Sequence, residues 1–230
     1  PIMSWPVATI GENEKVFKMI EMVMGEGYLA SHYFVTASVC ALSPLQYAQE
    51  SADTIIAYAR ANQPVTVLTA PMTGVSTPIS DIGALVAQNA ELLAGIVLAQ
   101  LVQPGVPVIY GTATYAADMR SGAFITGSPL SNLIDRAALQ LAQSLYHMPT
   151  RTLAGNTDAK VPDIQAGYET MQNYIQLLMG GTHMINECLG ILDGMMTVCY
   201  EKYIIDEEML RRVGLSLIHI SEPTRLGMIS

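Results

Sequence analysis

Residues Val65 to Thr112 read VTVLTAPMTGVSTPISDIGALVAQNAELLAGIVLAQLVQPGVPVIYGT, and the order of patterns within them decides the fold. The run VTVLTA is rich in β-branched residues and apolar at successive positions, which predicts a strand buried on both faces. A loop bearing threonine and glycine follows, then a long stretch with helical periodicity, predicted as a helix over Ser80–Gln103. Ser80 and Asp81 are suited to capping its start. Pro104 with Gly105, and then Pro107, stop it where a missing amide donor costs nothing. The next strand-like run, VPVIYGT, begins at once.

That strand–helix alternation extends in both directions. Further strand-like runs are IMSWPVA near Ile2, YFVTASV near Tyr33, TRTLAG near Thr150 and THMIN near Thr182. Helices are predicted over Glu12–Glu26, Leu45–Asn62, Pro129–Tyr146 and Pro162–Met179, with one more after Gly190. Pro129 and Pro162 suit a first helical turn. No GxGxxG follows a strand, which argues against a doubly wound dinucleotide fold. A (β/α)8 barrel takes roughly 250 residues, so about six βα units here make most of one. The expected fold is α/β, an incomplete (β/α)8 TIM-type barrel over residues 1–213.

Composition narrows the function. Half of the 230 residues are hydrophobic and 13% are charged, enough for one well-buried core. A net charge of −9 without clustered Lys and Arg argues against nucleic acid as a partner. Cys40, Cys188 and Cys199 form no CxxC pair, so neither a disulfide framework nor a zinc knuckle is indicated, and a reducing, cytoplasmic setting fits. No uninterrupted apolar run reaches the ~18 residues of a membrane helix. Gly83–Val102 is interrupted by Gln88, Asn89, Glu91 and Gln100 and reads as a buried helix. The start at Pro1 looks cut from a longer chain. The stretch LSLIHISEPTR, from Leu215 to Arg225, resembles the translation of a transposon adapter used in sequencing libraries, so residues 214–230 are expected to be a non-native tail.

In a TIM-type barrel the loops after the strands carry the chemistry. Here they read ATIGEN, CALSPLQ, APMTGVSTPIS, YGTATYAADMRSG, AGNTDAKVPD and NECLG. His32, His147 and His183 are isolated, without an HxH or HExxH partner, so no metal site is expected. There is no GxSxG elbow, and Cys40 and Cys188 read as small buried residues. What remains is hydrogen-bonding groups, carboxylates (Asp118, Asp158, Asp163, Glu187) and aromatics (Tyr110, Tyr115, Tyr168). Each has a plainer reading: Asp158 with Lys160 as a loop ion pair, Asp163 as a helix-start charge, Tyr110 as core packing. A set with no evident nucleophile suits a site that positions a substrate for an external reagent.

Three segments carry a resemblance: NAELLAGIVLAQLVQPGVPVIYG (Asn89–Gly111), AGNTDAKVPDIQAGYE (Ala154–Glu169) and YEKYIIDEEML (Tyr200–Leu210). Together they resemble the trimethylamine methyltransferase family, in order from about Pro1 to Val213, as the middle of a chain about twice as long. The resemblance implies a TIM-type barrel that transfers a methyl group from a tertiary or quaternary amine to the cobalt of a separate corrinoid protein. It implies no directly bound cofactor. Founding members carry pyrrolysine at or beside the loop matching Gly155–Asp158; this sequence has Asn156 and Thr157 there. That departure points to the pyrrolysine-lacking branch, which resembles glycine betaine methyltransferase.

On that reading Asn156, Thr157 and Asp158 form the catalytic loop, with Asn156 and Thr157 orienting the head group. Tyr110, Tyr115, Asp158 and Glu187 are candidates for the trimethylammonium head. Thr73, Gly74, Arg120 and Lys160 are candidates for a substrate carboxylate. The partners implied are a corrinoid protein and a small methylated amine; a homo-oligomer is left open. Three readings compete: a Schiff-base lyase or aldolase using Lys160, an inactive barrel fragment, and a betaine-binding module.

Overall fold

The computed structural model describes residues 2–4 and 8–221, with side chains over 8–215. Residues 5–7 of the first strand-like run and 222–230 of the expected tail lie outside the described residues. Six strands form one parallel sheet in chain order: β1 (Ile2–Ser4), β2 (Val35–Cys40), β3 (Val65–Thr69), β5 (Val108–Thr112), β8 (Thr150–Leu153) and β9 (Met184–Asn186). The helices between them are α1 (Ile10–Met24), the short α2 (Tyr28–Ser31), α3 (Gln49–Arg60), α4 (Asp81–Val102), α5 (Pro129–Ser144) and α6 (Ile164–Met179). Small strands β4 (Met72–Thr73), β6 (Tyr115–Ala117) and β7 (Phe124–Ile125) make a second sheet from the loops after β3 and β5. The sheet curls as a half-barrel with helices outside it, consistent with a partial TIM-like barrel.

Alternation along the strands makes two layers. Val35, Ala37 and Val39 of β2, Val65 and Val67 of β3, and Val108 and Tyr110 of β5 join Ile55, Leu92 and Ile96 of the helices in the principal core. Burying a leucine such as Leu92 fully contributes roughly 1.5–3 kcal/mol. The intervening residues face the concave side. One row of it runs in register through Cys40, Leu68, Gly111, Arg151 and Met184.

Sequence signals place the helix starts. The Ser80 side chain accepts from the Gly83 amide at 3.3 Å, and Asp163 accepts from the Ala166 amide at 3.0 Å. Pro129 opens α5. Among the described residues α4 is long and apolar enough to cross a membrane by length and composition, but it packs on β3 and β5 and between α3 and α5, with Gln88 and Glu91 buried. It is a core helix.

Most helix boundaries shift by one or two residues, so that α6 starts at Ile164 and leaves Pro162 just ahead of its cap Asp163, and two regions differ more. The helix expected from Leu45 starts at Gln49, because Leu42 and Gln46 exchange backbone hydrogen bonds of 2.8 and 3.0 Å around a turn in which Leu45 has φ +53°. The element expected after Gly190 is first a hairpin, β10 (Ile191–Leu192) and β11 (Thr197–Val198), and only then α7 (Tyr200–Ser221). Asp193, Gly194 and Met195 all have positive φ, which bends the chain back on itself. The helix α7 runs through Gly214 without a break.

Candidate functional site

The loop after β8 is built around Gly155. Its φ of +87° suits glycine, and a Cβ there would stand 2.2 Å from the Cys188 carbonyl oxygen. The chain thus passes directly beneath the loop after β9. From there to Ala159 the loop is almost wholly buried, and its polar groups are tied down from five directions.

The Gly155 carbonyl accepts from Lys202 Nζ of α7 at 3.2 Å and from the Thr170 hydroxyl at 3.4 Å. The Asn156 carbonyl accepts from Asn173 Nδ2 at 2.8 Å, and Asn173 in turn accepts from Asn132 of α5. Glu169 Oε2 accepts from the Thr157 hydroxyl at 2.5 Å and from the Asp158 amide at 2.9 Å. The Asp158 carboxylate accepts from the amides of Thr126 and Gly127 at 2.8 and 3.0 Å. The Thr157 and Ala159 carbonyls accept from Gly194 and Asp193 of the hairpin at 3.0 and 2.8 Å. Most of the polarity of this loop holds the loop itself. The exception is the Asn156 side chain, 4% exposed, whose Oδ1 has no partner among the described residues.

Arg151 stands on the concave face of the sheet just before this loop. It is 1% exposed, and Glu187 Oε1 lies 3.9 Å from its Nη2. Burial presses its pKa down, opposed first by Glu187 and then by Tyr115 and Cys40; a guanidinium stays cationic regardless. Tyr115, 5% exposed, packs with Leu153 and lies 4.2 Å from the Phe124 ring, centroid to centroid. Burial raises its phenol pKa, with Glu187 adding to the effect. Burial also pushes the Cys40 thiol up to about 11, beyond the relief Arg151 gives. That shift disfavours the thiolate form a nucleophilic cysteine needs.

The sequence candidates separate into groups. Tyr115 and Glu187 stand with Arg151 over the concave face. Tyr110 faces the helix layer, donating to Asn89 Oδ1 at 3.1 Å from within the principal core, because residues 109 and 111 are the concave positions of β5. Thr73 is buried with its hydroxyl on the Tyr115 carbonyl at 3.3 Å. The Gly74 amide donates to the Thr77 carbonyl at 3.0 Å and is occupied, and α4 begins only at Asp81. Arg120 is exposed. Lys160 is exposed on an open cleft of about 540 Å³ with Asp118, Asp158 and Asp193, and forms no ion pair with Asp158, which faces Thr126 and Gly127 instead. Asp163 caps α6. Among the described residues no three His, Cys, Asp or Glu side chains could hold a metal ion.

Sequence reasoning passed over Arg151, Glu169 and Lys202. The signal for Arg151 was a lone cation within the strand-like run TRTL, in a sheet buried on both faces.

A parallel half-barrel with its polar groups gathered at the carboxyl ends of the strands has the architecture on which TIM-type enzymes build their sites. A family model described as trimethylamine methyltransferase (MTTB) matches residues 5–221. The chain belongs to this family. It is 41% identical over 174 residues to the proline betaine:corrinoid methyltransferase of Eubacterium limosum, covering 76% of this chain and 36% of that protein. It is 39% identical to the glycine betaine methyltransferase of Desulfitobacterium hafniense, covering 80% of this chain and 38% of the relative. It is 40% identical to the trimethylamine methyltransferase MttB of Methanosarcina barkeri, covering 81% and 38%. The chain thus spans less than two-fifths of each of these relatives.

Proposed function

We propose that the protein carrying this chain moves a methyl group from a quaternary methylated amine such as glycine betaine to the cobalt of a cognate corrinoid protein. The chain would then be the larger part of a (β/α)8 barrel working in the cytoplasm. The observation that carries this reading is the loop Gly155–Ala159, buried and fixed, with a single side-chain acceptor, Asn156 Oδ1, left without a partner. Family similarity on both sides of that loop supports it.

The chemistry asks for positioning. The reduced corrinoid of the partner would supply the electron pair that takes up the methyl group, and the N–CH3 pair would stay on nitrogen as the tertiary amine departs. A quaternary nitrogen leaves as a neutral amine without a proton, so no general acid is needed. The chain's own part is to hold the N–CH3 bond in line with cobalt and exclude water. The raised pKa of the Cys40 thiol agrees with such a division of labour. Asn156 Oδ1 orients the methylated head, and Tyr115 with Glu187 favours its positive charge.

The test is turnover with glycine betaine and the reduced corrinoid protein, comparing wild type with Asn156→Ala. Betaine-dependent methylation that falls at least about ten-fold in the variant, with the fold intact, supports the reading. Unchanged turnover removes Asn156 from the mechanism.

A further inference from the structure

The concave face holds a buried cation whose charge is poorly answered. Arg151 is 1% exposed, yet its one ion-pair contact, Glu187 at 3.9 Å from Nη2, is well beyond charge-assisted hydrogen-bond length. Its Nε and Nη1 have no acceptor among the described residues. Buried donors left so are rare in folded proteins, and each one asks for an explanation. Lys202, also buried at 2%, shows the contrast: its ammonium lies 2.5 Å from Asp206 and also reaches the Gly155 carbonyl.

Resting on the methyl-transfer reading above, we propose that Arg151 is the carboxylate anchor of the substrate and selects a small betaine over an amine that has no acid group. A carboxylate supplies the oxygens that the planar guanidinium lacks, in an environment where water does not screen the attraction. In the row across the sheet Arg151 lies between Gly111, which carries no side chain of its own and is flanked by Leu68, and Met184. The surroundings also have the order of charges a zwitterion needs. Arg151 meets the carboxylate, while Glu187 and the buried Tyr115, which packs with Leu153 two residues along β8, meet the methylated cation. Glu187 then changes from a loose partner of Arg151 to a partner of the substrate's ammonium. Arg120 and Lys160 are exposed and hold an anion more weakly in water.

Binding alone tests this. The protein carrying this chain is titrated calorimetrically, without a corrinoid protein, against glycine betaine, choline and tert-butylacetate. Choline keeps the cationic head and lacks the carboxylate; tert-butylacetate keeps the shape and the carboxylate and lacks the cation. Glycine betaine is expected to bind about ten- to a hundred-fold more tightly than choline, with tert-butylacetate binding detectably. In Arg151→Gln the preference for betaine over choline disappears. Equal binding of choline and betaine to the wild type overturns the proposal, as does a preference that survives in a folded Arg151→Gln, or no saturable binding of betaine. The wild-type ligand series decides the matter even where the variant does not fold. Carboxylate-selective binding without methylation of a corrinoid protein overturns the transfer reading and leaves the anchor standing; methyl transfer from betaine that Arg151→Gln leaves unchanged does the reverse.

Discussion

Glu187 Oε1 lies 3.9 Å from Nη2 of Arg151, pairing a guanidinium that is 1% exposed with a carboxylate whose side chain is 34% exposed. The pair joins β8 to the loop after β9. Breaking a fully dry pair costs roughly 3–5 kcal/mol, but solvent at Glu187 and the long contact reduce this. Glu187→Gln is expected to lower stability by about 1 kcal/mol, read as a shift in the urea midpoint. A loss as large as that of a dry pair would show Glu187 to be the main counter-charge of Arg151.

Gly155→Ala should be far more damaging. The residue sits at φ +87°, and the new methyl would collide with the Cys188 carbonyl at 2.2 Å. The left-handed backbone alone costs about 1–2 kcal/mol with a side chain, and the collision adds to it by forcing the loops after β8 and β9 apart. A total loss of about 3 kcal/mol or more is expected in chemical denaturation. A change under about 1 kcal/mol would mean that the two loops separate easily.

Lys202 and Asp206 form a buried pair one helical turn apart on α7, 2.5 Å between Nζ and Oδ2. Lys202→Met strands the Asp206 carboxylate, whose pKa burial already raises, and should cost about 3–5 kcal/mol. The double change Lys202→Met with Asp206→Leu removes both charges and should recover most of that loss. A double variant no more stable than the single one would show that the Lys202 contact to Gly155 matters more than the charge.

Asp135 gives a pH signature. Burial pushes its carboxyl up to about 6 from 3.8, against the hydrogen bonds that Thr112 and Thr114 donate to it. Between those two values the folded protein holds a proton that the unfolded chain has released. Stability therefore falls as pH rises from about 4 to about 6, by on the order of 3 kcal/mol from this group. Asp135→Asn should flatten that part of the stability profile relative to wild type, measured by urea denaturation at several pH values. Parallel profiles would show that Asp135 keeps its charge when folded.

The alternation VTVLTA–helix–VPVIYGT was readable because strands buried on both faces and a capped apolar helix leave different periods in the sequence. The same double burial hid the site. With both faces of VPVIYGT apolar or small, nothing in the sequence says whether Ile109 or Tyr110 faces the helices, so Tyr110 and its neighbour could be told apart only from the sheet. Arg151 was visible as a charge within TRTL, but its concave position follows from the register Gly111–Arg151–Met184. The loop AGNTDAK stood out as polar. Which of its groups are occupied depends on Glu169, Asn173, Lys202 and Thr126, residues 11 to 47 positions away in the pairs that hold it. Of that cluster, the Asn156 side-chain oxygen is what the fold leaves available.

The most direct test of the central claim is the cobalt spectrum of the reduced corrinoid protein, mixed with the protein carrying this chain and offered glycine betaine or trimethylamine. The account predicts conversion of Co(I) to methyl-Co(III) with glycine betaine and little or none with trimethylamine. Cobalt methylated by trimethylamine and left as Co(I) by glycine betaine would contradict it.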